Sequence, residues 1–193
     1  MIPVVLATLA YGLALTLLVS RPWLRTHPKR MALALAAICA LLHLPVLGIS
    51  LLVVLRGVLG DLSIVTLVFL TSLFFQGPRP LLPSPRIFTL MGFAFFLLSF
   101  GLSPLHPYAW GYASAILPCL AGGLAFLLWL RGRYAFSLAL LAALLGWRLH
   151  WLDSTNLWDY LLDAPLVVVA LVHAVFCALP KSPFRRGKMT HPD

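Results

Sequence analysis

Seven apolar runs separated by short polar breaks decide what this chain can fold into. They cover residues 2–20, 31–55, 62–76, 87–102, 113–130, 134–147 and 164–179. A helix needs about 20 apolar residues to cross roughly 30 Å of hydrocarbon, somewhat fewer where the bilayer thins and more where the helix tilts. Each run therefore reads as a transmembrane helix, and the predicted fold is all-α: a polytopic bundle of about seven spans. With 62% hydrophobic and 10% charged residues and a mean hydropathy of +1.00, a water-facing surface of ordinary composition is out of reach. Residues 1–180 are expected to form one transmembrane domain and residues 181–193 a basic cytoplasmic tail.

The breaks carry the orientation. Twelve of the fourteen Lys and Arg residues fall in alternate segments: Arg21, Arg25, Lys29 and Arg30; Arg79 and Arg86; Arg131 and Arg133; Lys181, Arg185, Arg186 and Lys188. Only Arg56 and Arg148 fall between them. Cationic loops stay in the cytoplasm, so the N-terminus is predicted outside and the C-terminus inside. The first run has no Lys or Arg before it and four just after, the reverse of a cleavable signal peptide. The net charge of +9 is thus a topological signal, and no nucleic-acid partner is expected. Short loops and a composition rich in Leu, Ala and Arg suggest a bacterial inner membrane.

Four of the five acidic residues, Asp61, Asp153, Asp159 and Asp163, lie on the predicted outer side with His106 and His150. Any polar chemistry should gather there. Arg56 and Asp61 flank a tight Gly57–Gly60 turn, where they could bind a lipid headgroup or gate a pathway, because charge at membrane depth is expensive. A structural reading stands beside that one: Asp61 as the N-cap of the third helix, with Arg56 snorkelling outward.

Leu55-Arg56-Gly57 followed by Gly60-Asp61-Leu62-Ser63 resembles a stretch in the membrane-embedded region of phosphoglycerol and phosphoethanolamine transferases of the alkaline phosphatase superfamily. The likeness covers residues 55–63. In that family the chemistry belongs to a large extracytoplasmic metal-dependent domain, so the resemblance implies an anchor without the enzyme. It carries over no catalytic or metal-binding residue.

Residues 147–163 form the second polar candidate, with Arg148, His150, Asp153, Asp159 and Asp163 among Trp147, Trp151 and Trp158. The spacing of the indoles suggests a helix lying along the interface. Asp159 and Asp163, four apart, would share a helical face, where their repulsion calls for Arg56 or Arg148 as a partner. Paired carboxylates near a His could do acid–base work or hold a cation. The plain alternative is an aromatic belt with solvated charges and Asp163 capping the last helix.

His43 and His173 fall near the middle of two runs, the placement a bis-His haem b would require. Buried, hydrogen-bonded histidines without metal are the ordinary alternative. Cys39, Cys119 and Cys177 lie singly inside apolar runs and read as small core residues rather than a disulfide or zinc set. Residue 118 is Pro and 122–123 are Gly, which would allow a kink or a close helix contact in the fifth run. The chain has no Glu, no Gly-x-Ser-x-Gly and no His-Glu-x-x-His.

Three functions fit. The leading expectation is a non-enzymatic accessory or anchoring subunit of cell-envelope machinery, with membrane lipids and a membrane protein as partners and no cofactor. The others are a small transporter or lipid/glycan transferase built on the outer Arg, Asp and His residues, and a haem b electron-transfer subunit.

Overall fold

The computed structural model describes residues 1–20, 27–46, 48–76, 107–113 and 115–178, with positions 92, 94, 95, 98 and 99 between them. The predicted fourth span, Arg79, Arg86, His106 and the basic tail lie outside these residues or nearly so, as do the side chains of His173 and Cys177. The described chain is almost wholly helical, as its apolar periodicity leads one to expect. Helix α1 (Ile2–Val19) has 18 residues and is about 27 Å long at 1.5 Å per residue. Among the described helices it is the one long and apolar enough to cross a membrane by itself. Other apolar helices among the described residues, such as Ile116–Leu130 and Tyr134–Arg148, are shorter.

Helix α2 (Pro28–Leu42) runs back along α1. Gly12 makes the close approach possible, since a Cβ there would strike Cys39 Sγ. Here the expectation of a single span over 31–55 fails. The helix ends at Leu42, and a two-residue antiparallel pair follows, β1 (Pro45–Val46) with β2 (Ile49–Ser50). Pro45 has no N–H for a helical bond and disfavours helical dihedrals at Leu44. Gly48 then takes a left-handed φ of 84° that closes the turn. Ser50 starts a new helix, α3 (Leu51–Leu59), its Oγ accepting from Val53 N at 3.4 Å.

A second break separates α3 from α4 (Ile64–Gln76), with Gly60 at φ 79°. After a 3₁₀ turn (Pro107–Ala109) and the short α5 (Trp110–Ala113) comes a helical hairpin, α6 (Ile116–Leu130) and α7 (Tyr134–Arg148). It is turned by Gly132 at φ 71°. Ala121, Ala125 and Ala143 are buried between the two helices, and Ser137 Oγ donates to the Ala125 carbonyl at 2.7 Å. From Ile116 to Leu130 the fifth run is one continuous helix. Pro118 sits in the first turn of α6, where a missing N–H costs nothing, and the two glycines lie within a continuous helix.

A one-turn helix α8 (Trp158–Leu161) and α9 (Ala164–Ala178) complete the described chain. Two buried clusters result. One gathers Ala7, Ala10, Tyr11, Leu42, Leu52 and Leu62 from α1 to α3 and the start of α4. The other joins α4, α6, α7, α8 and α9 around Ile64, Leu140, Leu157 and Tyr160. Helix α4 faces both, so the break that precedes it sits where the two halves meet.

Candidate functional site

Four carboxylates predicted to lie on one side do converge. Asp61, Asp153, Asp159 and Asp163 line a cleft of about 440 Å³ between the α3–α4 break and residues 152–164. Arg56, in the last turn of α3, pairs with two of these carboxylates. Its Nε donates to Asp61 Oδ1 at 2.6 Å and its Nη2 to Asp61 Oδ2 at 2.7 Å, a two-pronged pair that suits the planar guanidinium. Nη2 also donates to Asp153 Oδ2 at 2.6 Å. Hydrogen bonding to Asp61 first, and to Asp153 after it, holds the guanidinium protonated against the opposing effect of burial.

The break itself is held from α1. The Tyr11 hydroxyl donates to the Gly60 carbonyl and, at 3.3 Å, to that of Leu55. The Gly60 carbonyl lies just past the end of α3, so the buried phenol satisfies an acceptor that the broken helix would otherwise strand. Asp61 is not the cap that its position suggested. Helix α4 begins three residues later, and Ser63 Oγ accepts from Thr66 N at 3.1 Å, which leaves the Asp61 carboxylate for Arg56.

Asp163 does cap the last helix. Its Oδ1 accepts from Leu166 N at 2.6 Å, and its Oδ2 reaches across to Ser63 N at 2.7 Å. One buried carboxylate thereby ties the starts of α4 and α9 together.

Within residues 147–163 only the end of α7 and the single turn of α8 are helical, so the indoles do not share one interfacial helix. Helix α7 stops at Arg148, His150 takes a left-handed φ of 53°, and residues 151–157 fold as a compact turn. Polar side chains that compete for backbone groups are the reason. Asn156 Oδ1 accepts from Trp158 N at 3.0 Å while its amide donates to the Tyr108 carbonyl at 3.0 Å. The Tyr160 hydroxyl accepts from Leu152 N at 3.1 Å and donates to the Ser154 carbonyl at 2.9 Å. Trp147 and Trp158 spend their indole N–H groups on Thr155 and Pro107 carbonyls, at 2.9 and 2.7 Å.

Asp159 and Asp163 therefore share no helical face, because Leu162 between them is extended. Neither is offset by arginine. Asp159 takes the Tyr108 hydroxyl at 3.1 Å and that of Ser154, and Asp163 takes backbone N–H groups. Neutral donors in fixed positions do what a cation was expected to do. Tyr108 is pushed well up from the ordinary phenol value, by burial first and by the Asp159 charge next. Tyr160 is raised by burial as well.

Arg148 and His150 are exposed and do not line the cleft. His43 caps the end of α2 on the surface rather than in the interior, its Nε2 3.0 Å from Thr8 Oγ1. Cys39 is half-buried against α1, but Cys119 is exposed on α6, contrary to the expectation of core cysteines. Among the described residues no group of His, Cys, Asp and Glu has metal-ligand geometry. Sequence reasoning missed Tyr11 and Ser154 and assigned no role to Ser63 or Tyr160. Of these, Ser63 had a legible signal, a hydroxyl three residues ahead of Thr66 at the mouth of an apolar run.

No family model, curated protein or solved structure matches the chain.

Proposed function

We propose that this protein is a multi-pass bacterial inner-membrane protein of about seven spans, and that it serves as a non-enzymatic accessory or anchoring subunit of cell-envelope machinery. The observation that carries this reading is how completely the charged cluster is used by the chain itself. Arg56 holds Asp61 and Asp153, Asp163 fastens two helix starts, and Asp159 is held by two hydroxyls. Among the described residues no buried side-chain N or O lacks a partner. Such groups join segments; a catalytic acid, base or nucleophile would be left poised toward a substrate.

The membrane assignment draws on the sequence and on large apolar side chains that stand exposed along whole helices, such as Leu120, Phe126 and Leu130 on α6 and Leu18 and Val19 on α1. Exposed apolar area on this scale marks a lipid or protein contact. The likeness of residues 55–63 to the membrane part of the lipid-headgroup transferases accords with an anchor that works beside a separate catalytic partner.

The test is the native mass of the particle extracted from its own membranes in mild detergent, with every component identified. A stoichiometric second polypeptide is expected. A lone monomer or homo-oligomer overturns the accessory role.

One observation favours a second reading, a small transporter or membrane-embedded transferase: the cleft that Asp61, Asp153, Asp159 and Asp163 line. That reading requires Arg56→Ala and Asp61→Ala to abolish function at normal abundance, whereas the structural role requires abundance to fall with function.

A further inference from the structure

Two helices carry a measure of how much hydrocarbon the bundle can cover. On α7 the apolar stretch runs from Tyr134 to Trp147, between Arg133 and Arg148, about 21 Å along the axis. On α2 it runs from Met31 to Leu42, between Arg30 and His43, about 18 Å. A bilayer of ordinary thickness asks for roughly 30 Å. Helix α1, with 18 residues, comes near that; its neighbours fall well short.

The contacts with α1 show that the shortfall lies on the outer side. Polar groups that end the apolar stretches there meet α1 below its first residue. His43 Nε2 is 3.0 Å from Thr8 Oγ1, six residues past Ile2, and the α3–α4 break is held by the Tyr11 hydroxyl, nine residues past it. These contacts are about 9 and 13 Å down the helix.

Long side chains at the end of a short span can reach out to the headgroups. Arg133 and Arg148, both exposed, have that reach. Asp61 and Asp153 have one methylene each, and Asp61 is also held on Arg56. Asp153 is exposed as well as paired, and a carboxylate open to hydrocarbon is costly. Since these groups do not reach the headgroup layer, the layer has to come down to them.

Resting on the membrane reading above, we infer that the bundle thins the bilayer around it from the outer side, to about 20 Å of hydrocarbon. The outer headgroups descend beside α1 to the level of the α3–α4 break. A polar group crossing the membrane at this flank has about a third less hydrocarbon to pass than elsewhere.

The experiment reconstitutes the full chain into phosphatidylcholine bilayers whose hydrocarbon thickness is stepped from about 20 Å to above 30 Å. The unfolding midpoint should be highest in the thinnest bilayer and roughly 5 to 10 °C lower at ordinary thickness, the expected weight of this mismatch in a chain of this size. With deuterated acyl chains, the order parameter should fall as protein is added to the thick bilayer and hold steady in the thin one. A midpoint insensitive to thickness, or highest in the thickest bilayer, overturns the inference. So does chain order that the protein leaves unchanged in the thick bilayer, which is the signature of a water-filled pit in a membrane of full depth. Either result, in a protein that the bilayers retain, sinks this inference alone; a chain that no bilayer retains sinks the proposed function with it.

Discussion

Arg56 and Asp153 are 97 positions apart in the chain and 2.6 Å apart in space. Their bond joins the end of α3 to the turn after α7, while Asp61, on the other side of the same guanidinium, is five residues away. The two carboxylates differ in what they contribute. Asp61 is 20% exposed and Asp153 66%, so water screens the longer-range pair far more.

Asp61→Asn should therefore destabilise the protein by about 1.5 to 3 kcal/mol, the range for hydrogen bonds to charged groups. Asp153→Asn should cost under about 1 kcal/mol. Thermal unfolding in detergent, run at low and high salt, checks both. Salt should erode the Asp153 contribution and leave most of that from Asp61.

Gly111 is a position where no side chain fits. A Cβ there would collide with Asn156 Oδ1 and crowd Trp158, and the Gly111 carbonyl also accepts from Leu157 N at 3.0 Å. Gly111→Ala should cost about 1 to 3 kcal/mol by overpacking and shift the tryptophan emission as Trp158 moves. An unchanged spectrum and melting temperature would count against the packing described.

Removal of the Tyr160 hydroxyl would strand the buried Leu152 N–H that it accepts from. Tyr160→Phe should cost about 1 to 3 kcal/mol, the penalty for an unsatisfied buried donor, although only one oxygen is lost. Hydrogen exchange at residues 152–154 should quicken in this variant, with α6 unaffected.

Alkaline pH should attack the same turn. Tyr108 and Tyr160 are held neutral by burial, so their folded values lie above those of the unfolded chain, near 10 for a free phenol. Below about pH 10 both states are protonated and the contribution is fully present; as pH rises past it, the unfolded chain ionises first and stability falls. The unfolding midpoint should drop above pH 10, and Tyr108→Phe should flatten that drop.

Hydropathy exposed most of the helices, since residues 2–19, 64–76, 116–130, 134–148 and 164–178 are apolar runs with polar ends. Charge sorting went further, collecting Asp61, Asp153, Asp159 and Asp163 before any contact was known. The break at Pro45 and Gly48 was less visible, because its flanks are as apolar as a helix and two residues decided the outcome. Residues 149–157 were hidden for another reason. The helical spacing of Trp147, Trp151 and Trp158 was overruled by Ser154 and Asn156, whose side chains bond locally and make a turn cheaper than a helix. Partner choice escaped the sequence altogether, for Asp159 and Asp163 took hydroxyls and amides where a cation was expected.

The guanidinium of Arg56 also orders events in time. At a synthesis rate of about 5 to 20 residues per second, Asp61 emerges within roughly one second of Arg56, so the charge enters the nascent chain with its own counter-ion. Asp153, 97 residues on, follows some 5 to 20 s later at that rate. For that interval the arginine of the first half is already neutralised, with one donor still to be claimed by the second.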